Sequence, residues 1–150
     1  MDFHTVREQL IYLDGTPGGA ASPELIESVE LQYGLQLPAD VKRNYLIMNG
    51  AVSYTDGHGS WMRFWPIEEW RPACTEFPND NVAKSLPKHM LICADYAIEC
   101  VFYVIDLDNK SSTFGYVFGL GSTRLGIAAR SFSDFVTKVI QDSDELHTYG

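Results

Sequence analysis

Apolar residues recur at helical spacing three times before residue 50. Phe3, Val6, Leu10 and Leu13 share one face of segment 2–13, which predicts an amphipathic helix. The run Asp14-Gly15-Thr16-Pro17-Gly18-Gly19 breaks it. In segment 23–33, Leu25, Ile26, Val29 and Tyr33 form a stripe, with Glu24, Glu27 and Glu30 opposite and Leu31 off the stripe. Ser22 suits the N-cap, Pro23 the first helical position and Gly34 the C-terminal stop. A third helix, 38–49, opens at Pro38 and closes at Asn49-Gly50, with Val41, Tyr45 and Met48 on one face and Leu46 and Ile47 widening it.

After residue 50 the period changes. Ser53–Ser60 reads as a polar loop, Trp61–Trp65 as a short strand and Pro66–Trp70 as one helical turn. Pro66, Pro72, Pro78 and Pro87 then mark a long ordered loop with room for one more helical turn. Segments 89–94 and 98–107 read as strands. The near-continuous apolar run of the second implies burial on both faces and a central place in a sheet. Thr113–Phe118 is the expected return strand of a hairpin, Gly119–Ser122 a turn, and a short segment follows through Ile127. Ser131 with Asp134 resembles a capping box. Phe132, Phe135, Val136, Val139 and Ile140 then follow the i, i+3, i+4, i+7, i+8 pattern. Asp142, Asp144 and Glu145 are expected to be a frayed acidic tail. Helices, then strands, then a helix predict a single α+β domain over 1–150, with N-terminal helices and a C-terminal helix on one mainly antiparallel sheet.

Charge narrows the partners. Twenty acidic against eleven basic residues give −9. This disfavours nucleic acid, whose phosphates are bound mostly by Lys and Arg, and also an anionic membrane surface. The longest apolar run, Cys100–Ile105, falls far short of the roughly 20 residues of a membrane helix. The N-terminus carries Asp2, Arg7 and Glu8 and no apolar stretch of signal-peptide type, so the expected location is cytoplasmic. Cys74, Cys93 and Cys100 form no C-x-x-C; the latter two read as small buried hydrophobes.

Catalytic chemistry finds little support. Adjacent Glu68 and Glu69 would point about 100° apart on a helical turn and do not face one another. Asp56-Gly57-His58 offers two metal-capable side chains, but His4, His89 and His147 are scattered. Gly119-Leu120-Gly121 lacks the full dinucleotide motif, and no serine lies in a nucleophile elbow. No enzyme activity, cofactor or metal is expected.

Several short motifs, taken in order, resemble the SUKH superfamily, the Smi/Knr-type domain. They are Tyr33-Gly34, Leu37-Pro38-Ala39-Asp40, Asn49-Gly50, Phe64-Trp65-Pro66-Ile67-Glu68-Glu69, Ile92-Cys93-Ala94-Asp95-Tyr96, Tyr103-Val104-Ile105-Asp106-Leu107 and Ser131-Phe132-Ser133-Asp134-Phe135. They run from about residue 23 to 140. Val41 departs from the family's usual aromatic residue, Ala51 from a second glycine, and Ala97 and Ile98 from glycines.

The resemblance implies a SUKH-like α+β fold and a protein-interaction role. In bacteria many such proteins resemble immunity proteins that neutralise a toxin, often a nuclease, and that role is expected here; the alternative is a cytosolic regulatory or scaffolding adaptor of the fungal cell-wall-regulator type. Trp61, Phe64, Trp65 and Trp70 cluster within ten residues, and acids flank them. Aromatic anchors with an acidic rim suit a basic protein surface, such as a toxin domain. The expected partner-binding residues are Asp56, Trp61, Trp65, Glu68, Glu69, Asp95, Tyr96 and Glu99. An unrecognised hydrolase or small-molecule binder is the remaining alternative.

Overall fold

A computed structural model describes residues 1–12, 18–55, 61–97, 99–141 and 143–147. Three helices come first: α1 (Phe3–Tyr12), α2 (Pro23–Tyr33) and α3 (Ala39–Ile47). The ends of α2 lie where its caps require. Ser22 Oγ accepts from Leu25 N–H at 3.1 Å, and Gly34 takes φ +63° in the left-handed region. Leu31, off the stripe, is exposed.

The sheet strands are β1 (Ala51–Thr55), β2 (Trp61–Phe64), β3 (Arg71–Pro72), β4 (Met90–Tyr96), β5 (Val101–Asp106), β6 (Val117–Leu120) and β7 (Leu125–Ala129). Their order is β1-β2-β4-β5-β6-β7, every pair is antiparallel, and β3 pairs with β4 off this path. A 3-10 turn at Ile67–Glu69, a four-residue helix α4 (Ala73–Glu76) and a 3-10 turn at Ala83–Ser85 fill the proline-rich segment. Helix α5 (Phe132–Ile140) closes the fold, capped by Ser131 Oγ on Asp134 N–H at 3.0 Å. The α+β layout and the central placing of β5 follow the sequence pattern.

Four expectations are corrected. Residues 53–55 are strand rather than loop; β1 is an edge strand with an irregular register, which tolerates polar residues. The return strand begins at Val117 rather than Thr113. Asp106 holds a wide turn before it, with Thr113 Oγ1 donating to Asp106 Oδ2 at 2.6 Å and Gly115 N–H to its carbonyl at 2.7 Å. Gly119 and Leu120 are therefore strand, and Gly119 pairs with Tyr103 and Gly126. Cys100 is exposed because it stands in the turn before β5, whereas Cys93 is buried and its thiol is pushed up by burial. The acidic tail is ordered at residues 144–147 as a 3-10 turn. Leu146 is buried there and its carbonyl accepts Tyr103 Oη–H at 2.7 Å. Asp142 lies outside the described residues.

The core lies between the helices and one sheet face. Phe3 of α1, Tyr45 of α3, Phe64 of β2 and Phe132 and Phe135 of α5 form a connected aromatic cluster, with Trp70 against Tyr45 and Phe132. Two polar side chains of α3 tie the helices together. Asn44 is buried, and its Oδ1 accepts Phe3 N–H at 2.9 Å at the start of α1. Asp40 Oδ2 accepts Ser133 N–H at 2.9 Å at the start of α5. Each satisfies an orphan helix-terminal donor.

Candidate functional site

The site is built on the turn that follows β2. Phe64 faces the helices, so strand alternation sends Arg63 and Trp65 to the other side of the sheet. The turn is fixed from several directions. Trp65 N–H donates to Cys93 O at 2.9 Å. Its carbonyl accepts Tyr45 Oη–H at 2.6 Å and Trp70 Nε1–H at 3.1 Å. Burial pushes the Tyr45 hydroxyl well above its usual value, so it stays a neutral donor. Asn49 Oδ1 accepts Ile67 N–H at 2.8 Å, and Asn49 Nδ2 donates to Glu68 Oε2 at 2.7 Å. Tyr33 Oη–H reaches Trp70 O at 3.0 Å. The motifs Tyr33-Gly34, Asn49-Gly50 and Phe64–Glu69, far apart in sequence, thus meet at one turn.

Around Trp65 stands a charged frame. The indole Nε1–H donates to Asp95 Oδ2 at 2.6 Å. Arg63 Nη1 is 3.7 Å from the same oxygen, and Arg63 Nη2 is 3.1 Å from Glu69 Oε1. Asp95 Oδ1 accepts Glu99 N–H at 3.2 Å. The guanidinium groups of Arg63 and Arg71 lie over the Trp65 ring, 5.5 Å and 4.7 Å from its centroid, a cation–π arrangement. Arg71 also pairs with Glu76 at 2.7 Å.

Arg63 therefore joins Glu69 to Asp95, Asp95 in turn holds the Trp65 indole and the Glu99 backbone N–H, and Glu68 stands on the adjoining turn. Two of these do not reach the surface. Trp65 is 1% exposed and Asp95 2%, so they support the rim rather than present it. Glu68 and Glu99 are exposed and Glu69 partly so. Tyr96 is half-buried and alternates to the opposite face of β4 from Asp95. Trp61 opens β2, and its side chain is not among those described; Asp56 lies outside the described residues, as does His58. The sequence reading missed Arg63 and Arg71, which turn a purely acidic rim into a mixed network.

Asp95 is the hub. Asp95→Ala strands the buried indole N–H and the Glu99 N–H and leaves Arg63 without its inner partner. The expected cost is about 2–4 kcal/mol by urea unfolding. A loss below about 1 kcal/mol would show that the carboxylate does not organise the frame.

The turn carrying Glu99 is strained. Ala97 has φ +53° and Glu99 φ +66°, the left-handed region that favours glycine. Ala97 stands where the resembled family often has glycine. Ala97→Gly is expected to stabilise by about 1 kcal/mol, a Tm rise of about 2–4 °C; an unchanged or lower Tm would contradict strain at this turn.

A larger cleft of about 540 Å³ lies between the end of α2 and the turn after β5, lined in part by Glu30, Tyr33, Leu35, Lys42, His89 and Asp108. It holds its own ion pairs at its edge, Lys42–Glu30 at 3.1 Å and His89–Asp106 at 3.4 Å if the imidazole is charged. Among the described residues no group of three or more His, Cys, Asp or Glu side chains is placed to hold a metal ion. No helix among them is long and apolar enough to cross a membrane.

The model of the SMI1 / KNR4 family (SUKH-1) matches residues 20–138. A search of the curated proteins returns no match. That span covers the motifs converging on the Trp65 turn, the central strands and most of α5, and by it the chain belongs to the SMI1 / KNR4 family (SUKH-1).

Proposed function

We propose that this chain is a non-catalytic protein-binding domain of the immunity type, which binds and neutralises a basic bacterial toxin domain, a nuclease fitting best. One observation carries the reading. Glu68, Glu69 and Glu99 reach solvent around a rigid frame of Trp65, Asp95 and Arg63. A frame fixed by hydrogen bonds loses little side-chain freedom on binding, and outward carboxylates attract a cationic surface. A nuclease site is cationic because it must attract phosphate. The net charge of −9 favours the same encounter.

The test is charge reversal that spares the frame. Glu68→Lys with Glu99→Lys leaves the Arg63–Asp95 pair and Trp65 in place and gives up only the exposed Asn49 Nδ2–Glu68 bond. Affinity for the toxin domain is expected to fall at least tenfold and to lose much of its salt dependence, while stability changes by no more than about 1 kcal/mol. Unchanged affinity at low salt would remove the rim from the interface.

A further inference from the structure

Beside the Trp65 frame is a slot of about 190 Å³ between the loop after α4, the turn before β5 and the end of β6. Its apolar lining is Phe77, Phe102 and Leu120, and the Phe77 and Phe102 rings pack on each other with centroids 4.7 Å apart. Asp80 and Glu99 stand at its sides and Cys100 beside them. No lysine, arginine or histidine lines it among the described residues, in contrast to the larger cleft with Lys42 and His89. Asp80 Oδ1 is engaged by the Val82 and Ala83 N–H groups at 2.9 and 2.8 Å. That fixes the carboxylate in place. The Glu99 backbone N–H donates to Asp95 Oδ1, which ties the slot's turn to the Trp65 frame. Phe102 joins them as well, its ring 6.3 Å from that of Trp65.

We infer that this slot receives an arginine side chain of the bound protein. Aromatic walls with two carboxylates and no cation complement one ligand chemistry well: a flat, weakly hydrated cation on an apolar stem. A guanidinium stacks on aromatic faces and offers forked donors to carboxylates. The volume, about that of six waters, suits one long side chain rather than a larger ligand. Placed at the edge of the Glu68–Glu69–Glu99 rim and sharing Glu99 with it, the slot would add aromatic contact to the rim's charge. The inference rests on the proposed binding role for the source of the arginine, but the slot's chemistry can be tested without any toxin.

The experiment is an NMR titration of the ¹⁵N-labelled full chain with N-acetyl-argininamide and with its uncharged isostere N-acetyl-citrullinamide. The arginine probe is expected to shift the amides of Phe77, Glu99, Cys100, Phe102 and Gly121, and to bind about three- to tenfold more tightly than citrulline. Asp80→Asn, which keeps Oδ1 as acceptor of the Val82 and Ala83 N–H groups, with Glu99→Gln should reduce that preference to about one. Equal response to both probes would overturn the inference, as would arginine-dependent shifts confined to the Glu30–Asp108 cleft, or a preference that survives the double substitution. Any of these would leave the rim's charge-reversal result untouched, so the two ideas fail separately.

Discussion

Gly50→Ala is expected to cost about 3–5 kcal/mol, a large part of the stability of a domain this size. Two penalties combine. Gly50 has φ +79°, where an L side chain is strained by about 1–2 kcal/mol. An added Cβ would also lie 2.6 Å from Phe64 O, 2.8 Å from Pro66 N and 2.9 Å from Trp65 C. These are backbone atoms of the very turn that holds the site, fixed by Tyr45, Asn49 and Trp70, and they cannot swing aside as a flexible side chain could. Gly34 is the control. It has φ +63° but nothing within 4 Å of an added Cβ, so Gly34→Ala should cost only about 1 kcal/mol. Urea unfolding of both variants checks the contrast; equal costs would show that close approach at Gly50 is not what selects glycine.

Phe132→Ala is expected to cost about 3–5 kcal/mol. Phe132 is fully buried at the start of α5, with ring centroids of Phe3, Tyr45, Phe64, Trp70 and Phe135 between 5.7 and 6.4 Å away. One truncation therefore opens a cavity where α1, α3, α5 and the sheet meet, and the surrounding rings are too interlocked to collapse into it. Leu31→Ala, at a side chain 75% exposed, should change stability by less than about 0.5 kcal/mol. A comparable loss at both positions, measured by the same unfolding midpoint, would contradict the placing of the core.

Where the sequence carried local chemistry, the fold was legible. Ser22 and Gly34 bound α2 at both ends, and Ser131 starts α5, because a cap side chain and a left-handed residue act within a few residues. Where the deciding contact is distant, the pattern misleads. Thr113 has a β-branched side chain, yet its hydroxyl is taken by Asp106 and the strand starts later. Asp144 and Glu145 look like a loose tail, yet Tyr103, forty-three residues before Leu146, and Lys138 tie that segment down.

The candidate site divides in the same way. Its aromatic and acidic residues were visible as a local cluster. Nothing in their spacing told which would turn inward. That is settled by alternation in β2, which sends Trp65 to the face opposite Phe64, and by the register that sets Arg63 opposite Asp95. Arg63 and Arg71 escaped attention because their partners lie on other strands and turns, with no periodicity to mark them.

The central claim is that the acidic rim over the Trp65 frame captures and silences a basic toxin. The most direct measurement is calorimetric titration of the full chain into a basic nuclease toxin domain, at low and high salt, alongside that domain's killing activity on co-expression. A one-to-one complex that abolishes killing, weakens with salt and weakens at least tenfold with Glu68→Lys and Glu99→Lys is expected. No complex with undiminished killing, or a complex indifferent to salt and to both substitutions, would contradict it.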